Sequence, residues 1–226
     1  VPTAVGPVLV RRAADLAGWQ STRVARRYVE DVLAIVRQEA ERTGDPFHPV
    51  ATAYATGLHK LWAYKDEYEV ARLHLDAAQR AALEAEFGPG ARTEVLLRPP
   101  LLVALGLRRK IRIGRLARPA FTALRSARHL RGTPFDPFGQ TAMRRTERAL
   151  VGEYRRAVTE AVRQLRPDNA AMVAAIAASA EEVRGYEDVK RRGIERFRHR
   201  LGELGTALSE PPAPAGDHPE RWPIAG

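Results

Sequence analysis

The 226-residue chain has no cysteine. Disulfides, thiolate zinc sites, a cysteine nucleophile and a cysteine-ligated iron–sulfur cluster are therefore excluded within it. Long apolar runs are also missing. The best candidate, Ala170 to Ala180, is mostly alanine and falls far short of the roughly 20 apolar residues that span a bilayer. The opening Val1-Pro2-Thr3-Ala4 carries no basic patch followed by an apolar run, so no secretory signal is expected and the cytoplasm is the expected compartment. With Val rather than Met in first place, the sequence is expected to be either a piece of a longer chain or one with a misread start. No G-x-G-x-x-G, phosphate-binding P-loop or Gly-x-Ser-x-Gly elbow occurs. The six histidines, at 48, 59, 74, 129, 199 and 218, share no metal-ligand spacing on one helix face. A lone histidine such as His59 is expected to be a partly buried or surface residue rather than a ligand. From these absences no catalytic, cofactor-binding or metal residue is assigned.

What the chain does have is apolar content and arginine. At 45% hydrophobic residues it can bury a core. The net charge of +10 is not evenly spread. Residues 1–98 balance at 13 basic and 13 acidic, residues 99–166 hold 16 basic against 4 acidic, and the remainder is slightly acidic. Of 37 basic residues 33 are arginine, the side chain better suited to fixed pairing with carboxylates and phosphates. Such a block has two readings: a solvated face, or a surface for an acidic partner.

Helical spacing dominates. Val24, Tyr28, Val32, Ile35 and Val36 mark one helix face, ended by Thr43-Gly44-Asp45-Pro46. A second helix is expected from about Pro49 to about Leu73, a short one from Asp76 through Phe87, and a short basic one from Pro119 to His129. A long helix follows with Met143, Leu150, Tyr154, Val158, Val162 and Leu165 inward, and with Arg144, Arg145, Arg148, Arg155 and Arg156 on its solvent side. An alanine-rich helix after Asp168 and a very charged one from about Tyr186 to Leu208 complete the pattern. In the middle, Thr93-Glu94-Val95-Leu96-Leu97 and Lys110-Ile111-Arg112-Ile113 alternate like strands. The expected class is mainly α: one multi-helix domain over 1–208, with a small two-stranded antiparallel β-ribbon at about 92–114. A disordered proline-rich tail is expected over 209–226.

Three segments are candidate interfaces. In Leu61 to Leu73, the pairs Lys65–Glu69 and Glu69–Arg72 read as an ordinary helical ladder, while Lys65, Asp66 and Glu67 read as contacts to a neighbouring domain. The loop Leu130 to Gly139 is bounded by glycines and stiffened by Pro134 and Pro137. With Arg131, Thr133, Asp136 and Phe138 it could dock into a partner or plug its own core. The third segment is the basic block, represented by Arg144, Arg145 and Arg148.

These segments together carry a resemblance. Trp62-Ala63-Tyr64-Lys65-Asp66-Glu67-Tyr68-Glu69-Val70-Ala71-Arg72-Leu73, Pro99-Pro100-Leu101-Leu102, the loop Leu130 to Gly139, Arg144-Arg145-Thr146-Glu147-Arg148 and Arg184-Gly185-Tyr186-Glu187-Asp188-Val189-Lys190 resemble, in order and spacing, motifs near the C-terminus of long single-chain indolepyruvate ferredoxin oxidoreductases. The likeness runs from about residue 8 to about 200. It departs from that family at Glu187-Asp188, where Gly-His is usual, and in a shorter connection between Pro100 and Lys110. The resemblance implies a part of a thiamine-diphosphate-dependent 2-oxoacid:ferredoxin oxidoreductase, which oxidises aryl pyruvates. Thiamine diphosphate, magnesium and iron–sulfur clusters are implied in the rest of that parent enzyme, since this chain has neither cysteine nor a Gly-Asp-Gly motif. The implied role is structural or docking, non-catalytic alone, with the remaining domains or subunits of the oxidoreductase, or ferredoxin, as partner and no membrane. The alternative from composition is a nucleic-acid-binding protein using the arginines of 99–166, although no DNA-reading motif accompanies them.

Overall fold

Helix formation here follows from apolar stripes and well-made caps. A computed structural model describes residues 5–77, 81–82, 85–86, 88, 95–97, 111–113, 117–185 and 187–209. Among them are eight α-helices: α1 Val5–Trp19, α2 Thr22–Thr43, α3 Pro49–Trp62, α4 Glu67–His74, α5 Ala117–Ser126, α6 Ala142–Arg163, α7 Ala170–Ala178 and α8 Glu187–Ser209. Ser21 caps α2 by accepting from the Val24 N–H, and Gly44 ends it in the left-handed conformation at φ 66°. Thr141 caps α6 by accepting from the Arg144 N–H. The start of α3 is capped from another helix. Glu39 on α2, almost fully buried, accepts from the N–H groups of Val50 (2.9 Å) and Ala51 (2.8 Å). Its carboxylate meets the positive end of the α3 dipole, while burial pushes its pKa upward.

Helix α3 lies at the centre and packs against α1, α2, α6 and α7. Val50, Ala51, Tyr54, Ala55, Leu58 and Leu61 supply its buried face. Tyr54 stacks on Tyr154 of α6 with ring centroids 5.5 Å apart, and the Tyr154 hydroxyl donates to the Ala177 carbonyl at 2.6 Å. Gly57 lets these elements approach. A Cβ there would overlap the Tyr154 hydroxyl and come within 2.9 Å of the Ala180 Cβ.

The β-ribbon expected as a component of the fold at about 92–114 is corrected. The fold is helical, and its described core contains no sheet layer. The strand-type backbone left is one antiparallel pairing of three residues a side, Val95–Leu97 with Ile111–Ile113. Two strands of that length cannot sustain an apolar layer by themselves. Of the tail expected over 209–226, Ser209 is instead the last residue of α8, while residues 210–226, the rest of 92–114 and much of the expected 76–87 helix lie outside the described residues.

A second correction concerns the single helix expected from Pro49 to Leu73. The chain leaves helical geometry at Ala63–Asp66, and α4 starts afresh with Asp66 as its cap, accepting from the Glu69 N–H at 2.9 Å. Lys65 therefore sits in the break, so the Lys65–Glu69 rung is absent. The Glu69–Arg72 rung forms at 2.7 Å.

Candidate functional site: the clamped loop

The break between α3 and α4 positions a buried acid. Asp66, 3% exposed, faces Arg131, which follows the short 3₁₀ turn Ala127–Leu130. The Arg131 guanidinium donates Nε–H to Oδ2 and Nη2–H to Oδ1 of Asp66, both at 2.7 Å, in the two-pronged geometry that suits a carboxylate. Its Nη1 donates to the Trp19 carbonyl at the end of α1, and its plane lies over the Trp19 ring with 3.8 Å from Cζ to the centroid. The Trp19 indole N–H in turn donates to the Tyr64 carbonyl at 3.1 Å. Three elements thus close around one guanidinium.

Asp136 is the second internal anchor, at 2% exposed. Its Oδ2 accepts from the Gly132 N–H (2.9 Å) and its Oδ1 from the Phe138 N–H (3.1 Å) and the Tyr68 hydroxyl (3.2 Å). The loop therefore folds around its own aspartate. Gly132 takes φ 77°, a conformation glycine adopts without penalty. Thr133 Oγ1 donates to the Leu130 carbonyl at 2.7 Å, and Phe138 sets its ring edge-on to Tyr68 at 5.1 Å. Outside fastenings come from Gln20, which donates to the Arg131 carbonyl (3.0 Å), and from α6. Arg145 donates to the Gln140 carbonyl (3.1 Å), and Arg148 to that of Gly139 (2.9 Å).

All ten residues singled out from the sequence meet at this corner. Lys65 takes part through its carbonyl, which accepts from Arg144 at 3.1 Å. Glu67 lies 3.9 Å from Arg144, and burial raises its pKa. Arg144 also pairs with Glu147 at 2.7 Å, and Lys190 of α8 bonds to the other oxygen of Glu147. Their roles nevertheless differ from the expectation. Asp66, Arg131 and Asp136 face inward, and every oxygen of the two aspartates is taken by an internal donor. The expected solvent face of α6 is corrected too: Arg144, Arg148 and Arg155 are half-buried, and only Arg145 and Arg156 of the five are exposed. Arg155, for example, pairs with Asp31 of α2 at 2.6 Å.

What the corner offers outward is the loop tip. Phe135 is 80% exposed, flanked by exposed Pro134 and Pro137. An apolar ring on a loop pinned from three sides is a preorganised contact. Sequence reasoning missed Trp19, Gln20, Tyr68 and Glu147 as parts of this assembly. Only Tyr68 and Glu147 lay within motifs that could have flagged them.

A second, half-buried ionic cluster joins α1, α3 and α4. Asp15 accepts from His59 (2.9 Å) and Arg72 (2.7 Å), and Arg72 also pairs with Glu69. The His59 hydrogen bond, followed by the charge of Arg72, holds the Asp15 carboxyl below its usual value against the opposing effect of burial. His59 is thus a core residue with an acid partner.

A family model covers residues 5–203 of the chain, nearly the whole described domain. The chain belongs to the DUF6537 family. That family is described as one of unknown function. No curated protein matches the chain, and no solved structure matches it. Among the described residues of this DUF6537 domain no group of three histidine, aspartate or glutamate side chains is placed to hold a metal ion, and no helix is long and apolar enough to cross a membrane.

Proposed function

We propose that this chain is the helical docking domain of a thiamine-diphosphate-dependent indolepyruvate, or aryl-2-oxoacid, ferredoxin oxidoreductase, and that it is non-catalytic alone. The observation that carries the reading is the clamped loop. Three of the motifs that resemble the oxidoreductase (residues 62–73, 130–139 and 144–148) assemble into one corner whose internal bonds hold Phe135 outward. A segment kept only for its own core would have no use for an 80% exposed phenylalanine at the tip of its most fastened loop. On this reading Phe135 and its flanking prolines fill an apolar recess of another domain or subunit of the enzyme. Thiamine diphosphate, magnesium and the iron–sulfur clusters belong to those other parts, and the whole works in the cytoplasm. The exposed arginines Arg118, Arg125 and Arg145 steer the approach to an acidic surface.

The test is co-purification. A tagged chain expressed in its native cells is recovered at low salt, and bound polypeptides are identified by mass spectrometry. Recovery of thiamine-diphosphate and iron–sulfur polypeptides, or of one long chain containing this sequence, supports the reading. Recovery of nucleic acid alone, released at moderate salt, overturns it in favour of phosphate binding by the arginines.

A further inference from the structure

Beside the clamp, a cavity of about 290 Å³ opens between the end of α1, the start of α2 and α6. Its walls include Trp19, Trp62 and Tyr64, and four arginines reach it: Arg27, Arg131, Arg148 and Arg155. No aspartate or glutamate lines it. The cavity shares Gly152 and Arg155 with a second hollow of about 680 Å³, which continues along α6 past Arg156 to the ion pair of Glu160 and Arg163. Together they form one trough.

The charges in the first cavity are not all neutralised. Arg131 is matched by Asp66 and Arg155 by Asp31, each at close range. Arg27 and Arg148 have no ion pair among the described residues. Arg148 spends Nη2 on the Gly139 carbonyl, while its Nη1 is buried with no hydrogen-bond partner. A buried N–H left unpaired is costly unless something fills the place. Arg27, which is exposed, and Arg148, with Nη1 left unpaired, line one aromatic-walled cavity, and two positive charges there match a doubly charged oxyanion better than a single carboxylate.

We propose that this trough is a binding site for the phosphoryl group of a small phosphorylated molecule, held by Arg148 and Arg27 with Trp62 alongside. The site adjoins the docking loop through Arg131, Gly132 and Arg148 but does not include Phe135. The body of such a ligand extends over Gly152 toward Arg156, where the missing side chain leaves the floor open. An added Cβ at Gly152 meets only the Arg156 guanidinium, at 3.4 Å.

The experiment titrates the whole chain with inorganic pyrophosphate and with inorganic phosphate, at ionic strength held constant with potassium chloride. Binding is read by tryptophan fluorescence and by calorimetry. Saturable binding is expected, stronger for pyrophosphate, with the fluorescence change arising from Trp19 and Trp62. Arg148→Met weakens it about tenfold or more. Because Arg148 also holds Gly139, two further variants keep the test independent of folding. Arg27→Gln, at an exposed position, weakens binding without affecting the melting transition. Gly152→Leu obstructs the trough while leaving every charge in place. Arg192→Gln, at an exposed position of α8 outside the trough, leaves binding unchanged. Pyrophosphate binding no tighter than chloride would overturn the proposal. So would equal losses in Arg27→Gln and Arg192→Gln, which would mean general charge attraction, or unaltered binding in Gly152→Leu.

Discussion

At the scale of single residues, the domain depends on charges that have been taken out of water and matched. Asp66 and Arg131 are the clearest pair, with side chains 3% and 1% exposed. Removing one partner strands the other in the interior, so Asp66→Asn or Arg131→Met is expected to cost about 3–5 kcal/mol in urea denaturation. A cost below about 1 kcal/mol, the range of surface pairs, would contradict the clamp. The Asp15 cluster gives a pH signature. Its folded pKa lies below the unfolded value, so its contribution is fully present above about pH 4 and is lost as acid carries the pH down through the folded pKa. The stability gap between the native chain and Asp15→Asn should therefore be constant near neutrality and close as the pH falls below about 4. A gap that persists unchanged at pH 2–3 would remove the assigned role. The residues picked from the sequence lie together at one corner, but the way they face was misread. Asp66 lies in a charged run that looks solvated, and only its partner, 65 positions away, explains its burial.

At the scale of elements, packing governs. Helices α3, α6 and α7 come together at Gly57, where the Tyr154 hydroxyl occupies the place of a side chain. Gly57→Ala improves local helix propensity by roughly 1 kcal/mol, yet the added methyl has no room. Net destabilisation of about 1–3 kcal/mol is expected, measured as a lower melting temperature. A neutral or stabilising result would mean that these helices separate more easily than their contacts imply. Most helices were legible because their apolar stripes are regular: Tyr28, Val32, Ile35 and Val36 of α2 and Leu150, Tyr154, Val158 and Val162 of α6 are all buried. The break at Ala63–Asp66 was not legible, since its residues tolerate a helix and the apolar spacing runs straight through it. The signal was present in another form. Asp66 precedes Glu67 and Glu69, an acidic first turn behind a cap residue, which is how a new helix begins. The central ribbon, which is reduced to a pairing of three residues a side and forms no layer of the fold, was misjudged for the opposite reason. Its alternation reflected local preference, and no helical face was available from sequence alone to show what two short strands would rest on.

For the whole molecule, the surplus of arginine in residues 99–166 is partly spent inside the fold. Arg131, Arg144 and Arg155 hold helices together, while among the described residues Arg118, Arg125, Arg145, Arg156, Arg163 and Arg166 are exposed. Association with an acidic partner should accordingly weaken as salt rises from about 50 to 500 mM, chiefly through a slower on-rate, while the apolar Phe135 contact persists. Salt-independent association would remove the arginines from the interface without touching the loop. The loop itself is the point on which the functional account stands. Phe135→Asp changes an 80% exposed side chain, so the melting temperature should stay within about 1–2 °C of the native value. The most direct measurement is recovery of the co-expressed remainder of the proposed oxidoreductase on the tagged chain, native against Phe135→Asp. The account predicts stoichiometric recovery with the native chain and a loss of about tenfold or more with the variant. Equal recovery by both chains, or none by the native one, would contradict it.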